Sequence, residues 1–479
     1  MTCQGGRDCY RVIRKCNAAA SPSITIITLI SVMAAVLILI KDITFTARIT
    51  LRWPPEYLHI IGVGGRSSTH PNPTVVKNGE VEVEEEGVAL GCDLSKGRWV
   101  FDDVTRPLYK EEDCRFLTAQ VTCIRNGRKD TMYQKWRWQP HQCSLPRFKA
   151  RVLLEKLRGK RMMFVGDSLN RNQWESMVCL LQSAVAPHKA SWRVGAPLSV
   201  FSLQSFCRQP QTILSLFIKL QEYNATVEFY WAPFLVESNS DDPRNHSAIA
   251  HRIIAPDSIS NHGLHWKPAD FLVFNTYIWW MNRRTIKVLR GGGPLADHGS
   301  AAAAAEFDEL ERVTAYERVM TTWANWVKHN IDHNRTSSFF VTMSPVHQES
   351  SNWNGPKGMG CALETVPIIS MSNSNSNASL SLSLNMGTDR RLLEITRRVI
   401  NATRIPVRLI DITTLSEYRK DAHTSVYTIR QGKLLTPEQK ADPATYADCL
   451  HWCVPGLPDT WNQLLYAHII ANANANCSS

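Results

Sequence analysis

A serine, a histidine and an aspartate stand in two short motifs at opposite ends of the globular part of this chain. Gly166-Asp167-Ser168 follows the apolar run Met162-Met163-Phe164-Val165, and Asp448-Cys449-Leu450-His451 lies near the C-terminus. A serine hydroxyl is a weak nucleophile until an imidazole takes its proton. The imidazole works in one tautomer, which a carboxylate on its other nitrogen selects. An aspartate three residues before a histidine reaches back to it within one turn of chain. Ser168, His451 and Asp448 are therefore the candidate nucleophile, base and orienting acid of an acyl-transfer site, provided the fold joins them.

The residues around each motif extend the reading. A strand precedes Gly166, and LNRNQWESMVCLL after Ser168 suits a helix. A serine at such a turn exposes its hydroxyl beside helix N-terminal amides that can hold an oxyanion. The competing role for Asp167 or Ser168 is a helix cap. The Ser168 amide and the Asn275 side chain are the candidate oxyanion donors, though Asn275 equally suits a turn cap. Arg171 and Asn172 lie one turn on, to contact substrate or to lock the turn. Cys449 and Cys453 flank His451 in a Cys-x-His-x-Cys pattern. No second ligand pair has metal spacing, so disulfides are the expected reading and no metal site is expected.

These side chains need a scaffold. Apolar strand-like runs recur at Arg161–Val165, Phe271–Asn275, Phe339–Ser344 and Val407–Ile412, each ending in a small or polar residue. Between them lie helical stretches, the clearest at Glu306–Asn330, with Leu310, Val313, Tyr316, Met320, Trp323 and Val327 three or four apart. Strands alternating with helices predict a parallel sheet covered on both faces. Active-site groups then collect beyond the strand carboxyl ends, where Ser168 and Asn275 stand.

The rest of the chain divides by composition. Residues 1–23 read as a cytosolic tail and the uncharged run 24–40 as a single transmembrane helix, since seventeen helical residues span about 26 Å. Arg7, Arg11, Arg14 and Lys15 before it favour a type II orientation. The rival reading, a cleaved signal peptide, lacks a small-x-small site. Residues 41–88 read as a stem, rich in Pro, Gly and Glu. Residues 89–148 form a Cys-, Trp- and Arg-dense module, and 149–479 the main domain. The stretches Gly291–Ala305, Ser370–Leu384 and Ala471–Asn476 are low-complexity and carry no expected chemistry.

Of thirteen cysteines, Cys3, Cys9 and Cys16 precede the apolar run; the other ten predict disulfides in an oxidising lumen. Sequons at Asn224, Asn245, Asn334, Asn377, Asn401 and Asn476 agree with that location. The net charge of +11 suits an acidic polysaccharide or coenzyme phosphates, or no charge-specific partner at all. No Walker loop or zinc-finger spacing points to nucleic acid. The 15 tryptophans, many in polar surroundings, suit stacking on sugars as well as ordinary core packing.

Longer strings carry a resemblance: CDLSKGRWVFDD (92–103), PLYKEEDC (107–114), YQKWRWQPHQCSLPRF (133–148), GDSLNRNQWESMVCLL (166–181), FNTYIWW (274–280), SPVH (344–347), DAHTS (421–425) and YADCLHWCVPGLPDTWNQLL (446–465). From about Cys92 to Leu465 the chain resembles the plant trichome birefringence-like family of polysaccharide O-acetyltransferases. The stretch GRKDTMYQKWRWQP is similar to members that acetylate xylan. The resemblance implies an SGNH-like α/β/α domain with a triad at Ser168, Asp448 and His451. It implies disulfides Cys92–Cys143, Cys114–Cys179, Cys123–Cys453 and Cys361–Cys449, leaving Cys207 and Cys477. It further implies a Golgi membrane location with the catalytic domain in the lumen, acetyl-CoA as ultimate acetyl donor, and a xylan hydroxyl at O-2 or O-3 as acceptor, with no bound cofactor. No counterpart of the glycine oxyanion donor of general SGNH enzymes is found.

The expected activity is acetyl transfer through an acetyl-serine. An acetylesterase, or an acetyltransferase for another hemicellulose or pectin, would use the same triad, and a glycan-binding scaffold would use none of it. Trp99, Trp136, Trp138, Trp279 and Trp280 are candidates to stack on the glycan, and His347 and His423 to bind the acceptor.

Overall fold

The computed structural model describes residues 92–186, 190–203, 223–245, 249, 251–290, 295, 306–368 and 387–475. The expected tail, anchor and stem, Cys207, Cys477, Asn377, Asn476 and nearly all of the first two low-complexity stretches lie outside the described residues. Those described belong to one compact unit, Val83–Ser479.

Sixteen strands are described: β1 Gly97–Phe101, β2 Trp136–Pro140, β3 Arg161–Gly166, β4 Ala190–Arg193, β5 Leu198–Leu203, β6 Ala225–Trp231, β7 Ile253–Ile254, β8 Phe271–Phe274, β9 Thr285–Leu289, β10 Phe307–Glu311, β11 Ser337–Val341, β12 Val407–Ile410, β13 His423–Ser425, β14 Ile429–Arg430, β15 Lys433–Leu434 and β16 Asp448–Trp452. Seven form the central sheet, in the order β12-β11-β8-β3-β6-β5-β4. The four strand-like runs of the sequence are β3, β8, β11 and β12. They pair in parallel with one another or with β6. The sheet is nonetheless mixed, because β5 and β4 add antiparallel at one edge. Strand β6 escapes a hydrophobicity reading because Glu228 interrupts it. Arg161 satisfies that carboxylate from β3 through two hydrogen bonds of 2.8 Å.

Successive strand residues point to opposite faces, yet Met162 to Gly166 are all buried, as are Phe271 to Phe274. Both faces are therefore covered. Trp174 of the helix Ser168–Gln182 (the serine helix) donates to the Val227 carbonyl and packs near Phe229. Trp323 of the helix Arg312–Asn330 meets Phe274 and Phe340 on the opposite face. This is an α/β/α sandwich.

The expected helix Glu306–Asn330 is shorter than its periodicity suggested. Phe307–Glu311 pairs antiparallel with β9 instead, so Leu310 belongs to a strand and the helix starts at Arg312. Strands β10, β9 and β7 make a separate small sheet. The C-terminal helix Leu457–Ala475 runs on into the Ala/Asn-rich stretch.

The Cys-rich residues lead into the main domain and are also bolted onto it. Cys92–Cys143 closes within them, whereas Cys114–Cys179 reaches the serine helix and Cys123–Cys453 the end of β16. Cys361–Cys449 is the fourth bridge. Tyr109, Leu117 and Val121 pack with Leu180 and Val454 in a shared apolar cluster. A module this small buries little apolar surface alone, and the cross-links supply what the core lacks.

Candidate active site

Strand β3 is the switch point of the sheet, with β6 on one side and β8 on the other. Groups at its carboxyl end therefore face a natural crevice. The chain leaves β3 at Gly166, and Asp167 caps the serine helix, accepting from the Leu169 amide at 2.9 Å. A Cβ on Gly166 would stand 2.3 Å from the Asn275 carbonyl oxygen, so only glycine allows this close approach. Ser168 is the first helical residue and is partly exposed.

The imidazole arrives from β16. His451 Nε2 lies 2.8 Å from Ser168 Oγ, and His451 Nδ1 lies 2.8 Å from Asp448 Oδ2. Asp448 Oδ1 also accepts from the Leu450 and His451 amides, both at 3.0 Å. Burial pushes the Asp448 carboxyl up, but His451 and the two amides outweigh it and hold it well below the usual carboxylate range. An ionised Asp448 fixes a hydrogen on Nδ1, which leaves Nε2 free to accept from the serine.

Strand and helix are held in register by bonds the sequence does not reveal. Asn172 grips the Trp452 backbone, accepting from its N–H at 2.8 Å and donating to its carbonyl at 3.1 Å. Asn172 is 1% exposed, so it locks the histidine strand to the serine helix rather than touching substrate. The disulfides at Cys449 and Cys453 pin β16 on either side of His451.

Gln120 is the functional neighbour that sequence reasoning missed. Its Nε2 lies 3.1 Å from His451 Nδ1, and its Oε1 accepts from Arg171 Nη2. Two residues earlier, Thr118 gives its N–H and hydroxyl to Glu175 at 2.9 and 3.0 Å. The segment from Cys114 to Cys123 is thus cross-linked at one end to the serine helix and at the other to the histidine strand. Nothing in its own residues marks it. The shared cystines were the one available signal. With its hydrogen given to Asp448, Nδ1 accepts nothing from the Gln120 amide, so the bond at stake is the one from Arg171: Gln120→Ala is expected to lower kcat/KM about five- to tenfold, the worth of that one polar contact, with an unchanged thermal midpoint. Gln120→Glu is expected to move the acid limb of the pH profile upward, because a carboxylate beside the ring favours the imidazolium.

Other expected contacts are redirected by burial. Asn275 donates its amide hydrogens to the Val341 and Thr342 carbonyls at 3.0 and 3.2 Å, so it braces β11 and is not an oxyanion donor. The Ser168 amide, at the positive end of a helix, remains. Asp167 is fully buried, and its Oδ2 also accepts from the Tyr277 and Ile278 amides, which ties the loop after β8 to the serine turn. Arg171 stays partly exposed. His347 and His423 are buried and reach no solvent. His423 Nδ1 lies 3.1 Å from the His451 carbonyl and its ring stacks on Trp452 at 3.6 Å. His347 Nδ1 lies 2.7 Å from His423 Nε2. The two rings support the histidine strand from behind and do not meet acceptor. Burial pushes His347 down to about 4 and holds His423 well below the usual imidazole range.

The tryptophans divide likewise. Trp138 and Trp280 are core residues, their indoles donating to the Leu94 carbonyl and the Thr276 hydroxyl. Trp99 donates to the Leu415 carbonyl and lies under Arg419. Trp136 packs edge-on against exposed Phe101. Trp279 is 7% exposed, with Arg252 over its ring.

Behind the His347–His423 pair lies Glu417, which is fully buried and bonded to Arg390 at 2.5 Å. Burial, opposed by Arg390, pushes its carboxyl up to about 7. The folded state therefore binds a proton more tightly than the unfolded one, and stability falls as the pH rises from the unfolded value near 4.5 to 7. Thermal melts are expected to show this fall, about 3 kcal/mol at most, and Glu417→Gln to flatten it.

A serine beyond the central strand, an imidazole on its hydroxyl and a carboxylate on the imidazole make this a serine-type acyl-transfer site in an SGNH-like α/β domain. Residues 145–468 match the PC-Esterase family, a GDSL/SGNH-like acyl-esterase family found in Pmr5 and Cas1p, and residues 90–144 match the PMR5 N-terminal domain. The chain belongs to this family. It is 55% identical over 388 residues to xylan O-acetyltransferase 7 of Oryza sativa subsp. japonica, covering 80% of this chain and 60% of that protein. It is 51% identical over 408 residues to xylan O-acetyltransferase 2 of the same species, covering 84% and 73%. Protein trichome birefringence-like 3 of Arabidopsis thaliana is 42% identical over 378 residues, covering 79% of each.

Proposed function

We propose that this chain is a polysaccharide O-acetyltransferase that acetylates xylan through an acetyl-enzyme at Ser168. The supporting observation is the unbroken relay Asp448–His451–Ser168, with both links at 2.8 Å. The names of its relatives support the acceptor class.

His451 Nε2 takes the Ser168 hydroxyl proton as Oγ attacks the acetyl carbonyl carbon of the donor. The oxyanion forms beside the Ser168 amide and collapses, expelling the donor's leaving group, which departs with the proton from Nε2. A xylosyl O-2 or O-3 hydroxyl then gives its proton to Nε2 and attacks the acetyl-serine. Ser168 leaves as the reprotonated alcohol, and the acetyl group rests on the glycan. Acetyl-CoA, a thioester with a good leaving group, suits the first step. The expected setting is the Golgi lumen, with residues 24–40 as a type II anchor. Four disulfides and the exposed sequons Asn224, Asn245, Asn334 and Asn401 support an oxidising, glycosylating compartment.

The test is incubation of the full chain with acetyl-CoA and a xylo-oligosaccharide, product positions being read by NMR. Acetylated xylose is the expected product. Release of acetate from acetylated xylan without donor, and no transfer, would instead define an esterase.

A further inference from the structure

A shallow open pocket lies between the small sheet and the turn Ile278–Asn282, with Arg252, Trp279, Arg283, Lys287, Glu309 and Arg312 among its lining residues. Among the described residues, cations outnumber acids in its lining. Arg312 is paired with Asp389 at 2.9 Å. Glu309, the acid in the wall, accepts the Thr285 hydroxyl at 2.6 Å. It stands opposite Lys287 in register across β9 and β10, but no ion pair forms.

Arg252 has no carboxylate partner among the described residues. Its Nη1 makes one long contact, 3.4 Å, to the Ser240 hydroxyl. Its guanidinium lies over the Trp279 ring, 3.7 Å from the centroid. Burial and the nearby Arg283 push it down from its ordinary value. Arg252 is half-buried, and a cation partly withdrawn from water is favoured by an anion beside it. A guanidinium on an aromatic face is also held flat, with its edge presented for a two-point bond to phosphate or carboxylate.

The pocket is joined to the reacting serine. Trp279 follows Tyr277 and Ile278, whose amides hold the Asp167 carboxylate, and Asp167 precedes Ser168. One short loop thus forms the pocket wall and braces the serine turn.

We propose that this pocket is an anion subsite of the acyl-transfer centre, in which Arg252 and Lys287 receive a phosphate or carboxylate carried by one of the two substrates that meet at Ser168. The assignment rests on the transferase reading. A donor such as a coenzyme A thioester carries phosphates, and an acidic xylan branch carries a carboxylate.

The full chain and its Arg252→Ala, Arg252→Lys and Lys287→Ala forms are compared with paired probes: coenzyme A against pantetheine, and a carboxylated against a neutral xylo-oligosaccharide. Binding is read by calorimetry at low and high salt. The expected result is a 10- to 100-fold preferential loss of affinity for one charged probe over its neutral partner, the effect of one charge-assisted hydrogen bond, with a weaker salt dependence in the variants. Loss for coenzyme A assigns the site to the donor, and loss for the carboxylated sugar assigns it to the acceptor. Equal losses for charged and neutral probes, or no loss for either, overturn the proposal. Arg252→Lys keeps the charge, so it guards against a folding defect in the alanine form. Acylation of Ser168 by 4-nitrophenyl acetate in the unaltered chain is scored separately. Its absence would count against the transferase reading without altering the anion-binding result.

Discussion

Ser168→Ala protein is expected to transfer no measurable acetyl group from donor to xylan and to form no acetyl-enzyme. Removing the nucleophile of such a relay costs about 10⁴- to 10⁶-fold in kcat, with the residual rate coming from binding and oxyanion stabilisation alone. The fold should survive, because the Asp167 cap and the Asn172 grip on Trp452 do not involve the hydroxyl. The checks are intact-mass spectrometry for a trapped acetyl adduct and NMR of the glycan product. Full transfer by the alanine form would show that the hydroxyl of the acceptor attacks the donor directly, with His451 as base and no covalent stage.

Asp448→Asn is expected to be nearly as damaging, with about a 10³- to 10⁴-fold loss in kcat. The asparagine oxygen can still accept the Leu450 and His451 amides. Its amide, however, donates toward Nδ1, which forces the hydrogen onto Nε2, and the ring then cannot accept from Ser168. A drop of similar size in kcat and kcat/KM, with a native near-UV circular dichroism spectrum at the assay temperature, would mark this as a tautomer effect. The carboxylate's depressed proton affinity adds a second check. Asp448 stays ionised at every pH above about 4, so its own titration does not shape the activity profile in the working range. Its contribution to stability is fully present above the unfolded value and is lost as the pH falls toward the depressed folded value. Acid unfolding of the asparagine form should therefore lack that component.

The triad was legible because its chemistry is local twice over. Gly166-Asp167-Ser168 is a strand-to-helix turn whose glycine, cap and nucleophile are adjacent in sequence, and Asp448 and His451 are three apart. The alternation of apolar runs with helical stretches likewise exposed β3, β8, β11 and β12. Strand β6 was illegible because Glu228 reads as surface until Arg161 is seen beside it. The helical spacing of Leu310 continued a true pattern across a boundary that β-pairing with β9 decides. His347 and His423 carry residue types that suggest acceptor binding, and only their burial behind Trp452 shows them to be supports. Asn275 ends its strand where an oxyanion donor would stand, yet its amide is committed to the neighbouring strand. Gln120 could not be chosen from its own surroundings in sequence, because what brings it to His451 is a pair of cystines reaching in two directions.

The chain's letters alone established which groups can take a proton, which can attack, and that an alternating α/β layer carries them, because these depend on residue type and short-range spacing. The meeting of Ser168 with His451, the wedging of Gln120 between Arg171 and the imidazole, and the placing of Arg252 over the Trp279 ring were decided by tertiary structure. Each depends on atoms far apart along the chain, and their separation in space follows from packing, strand register and cross-links, which no local pattern encodes.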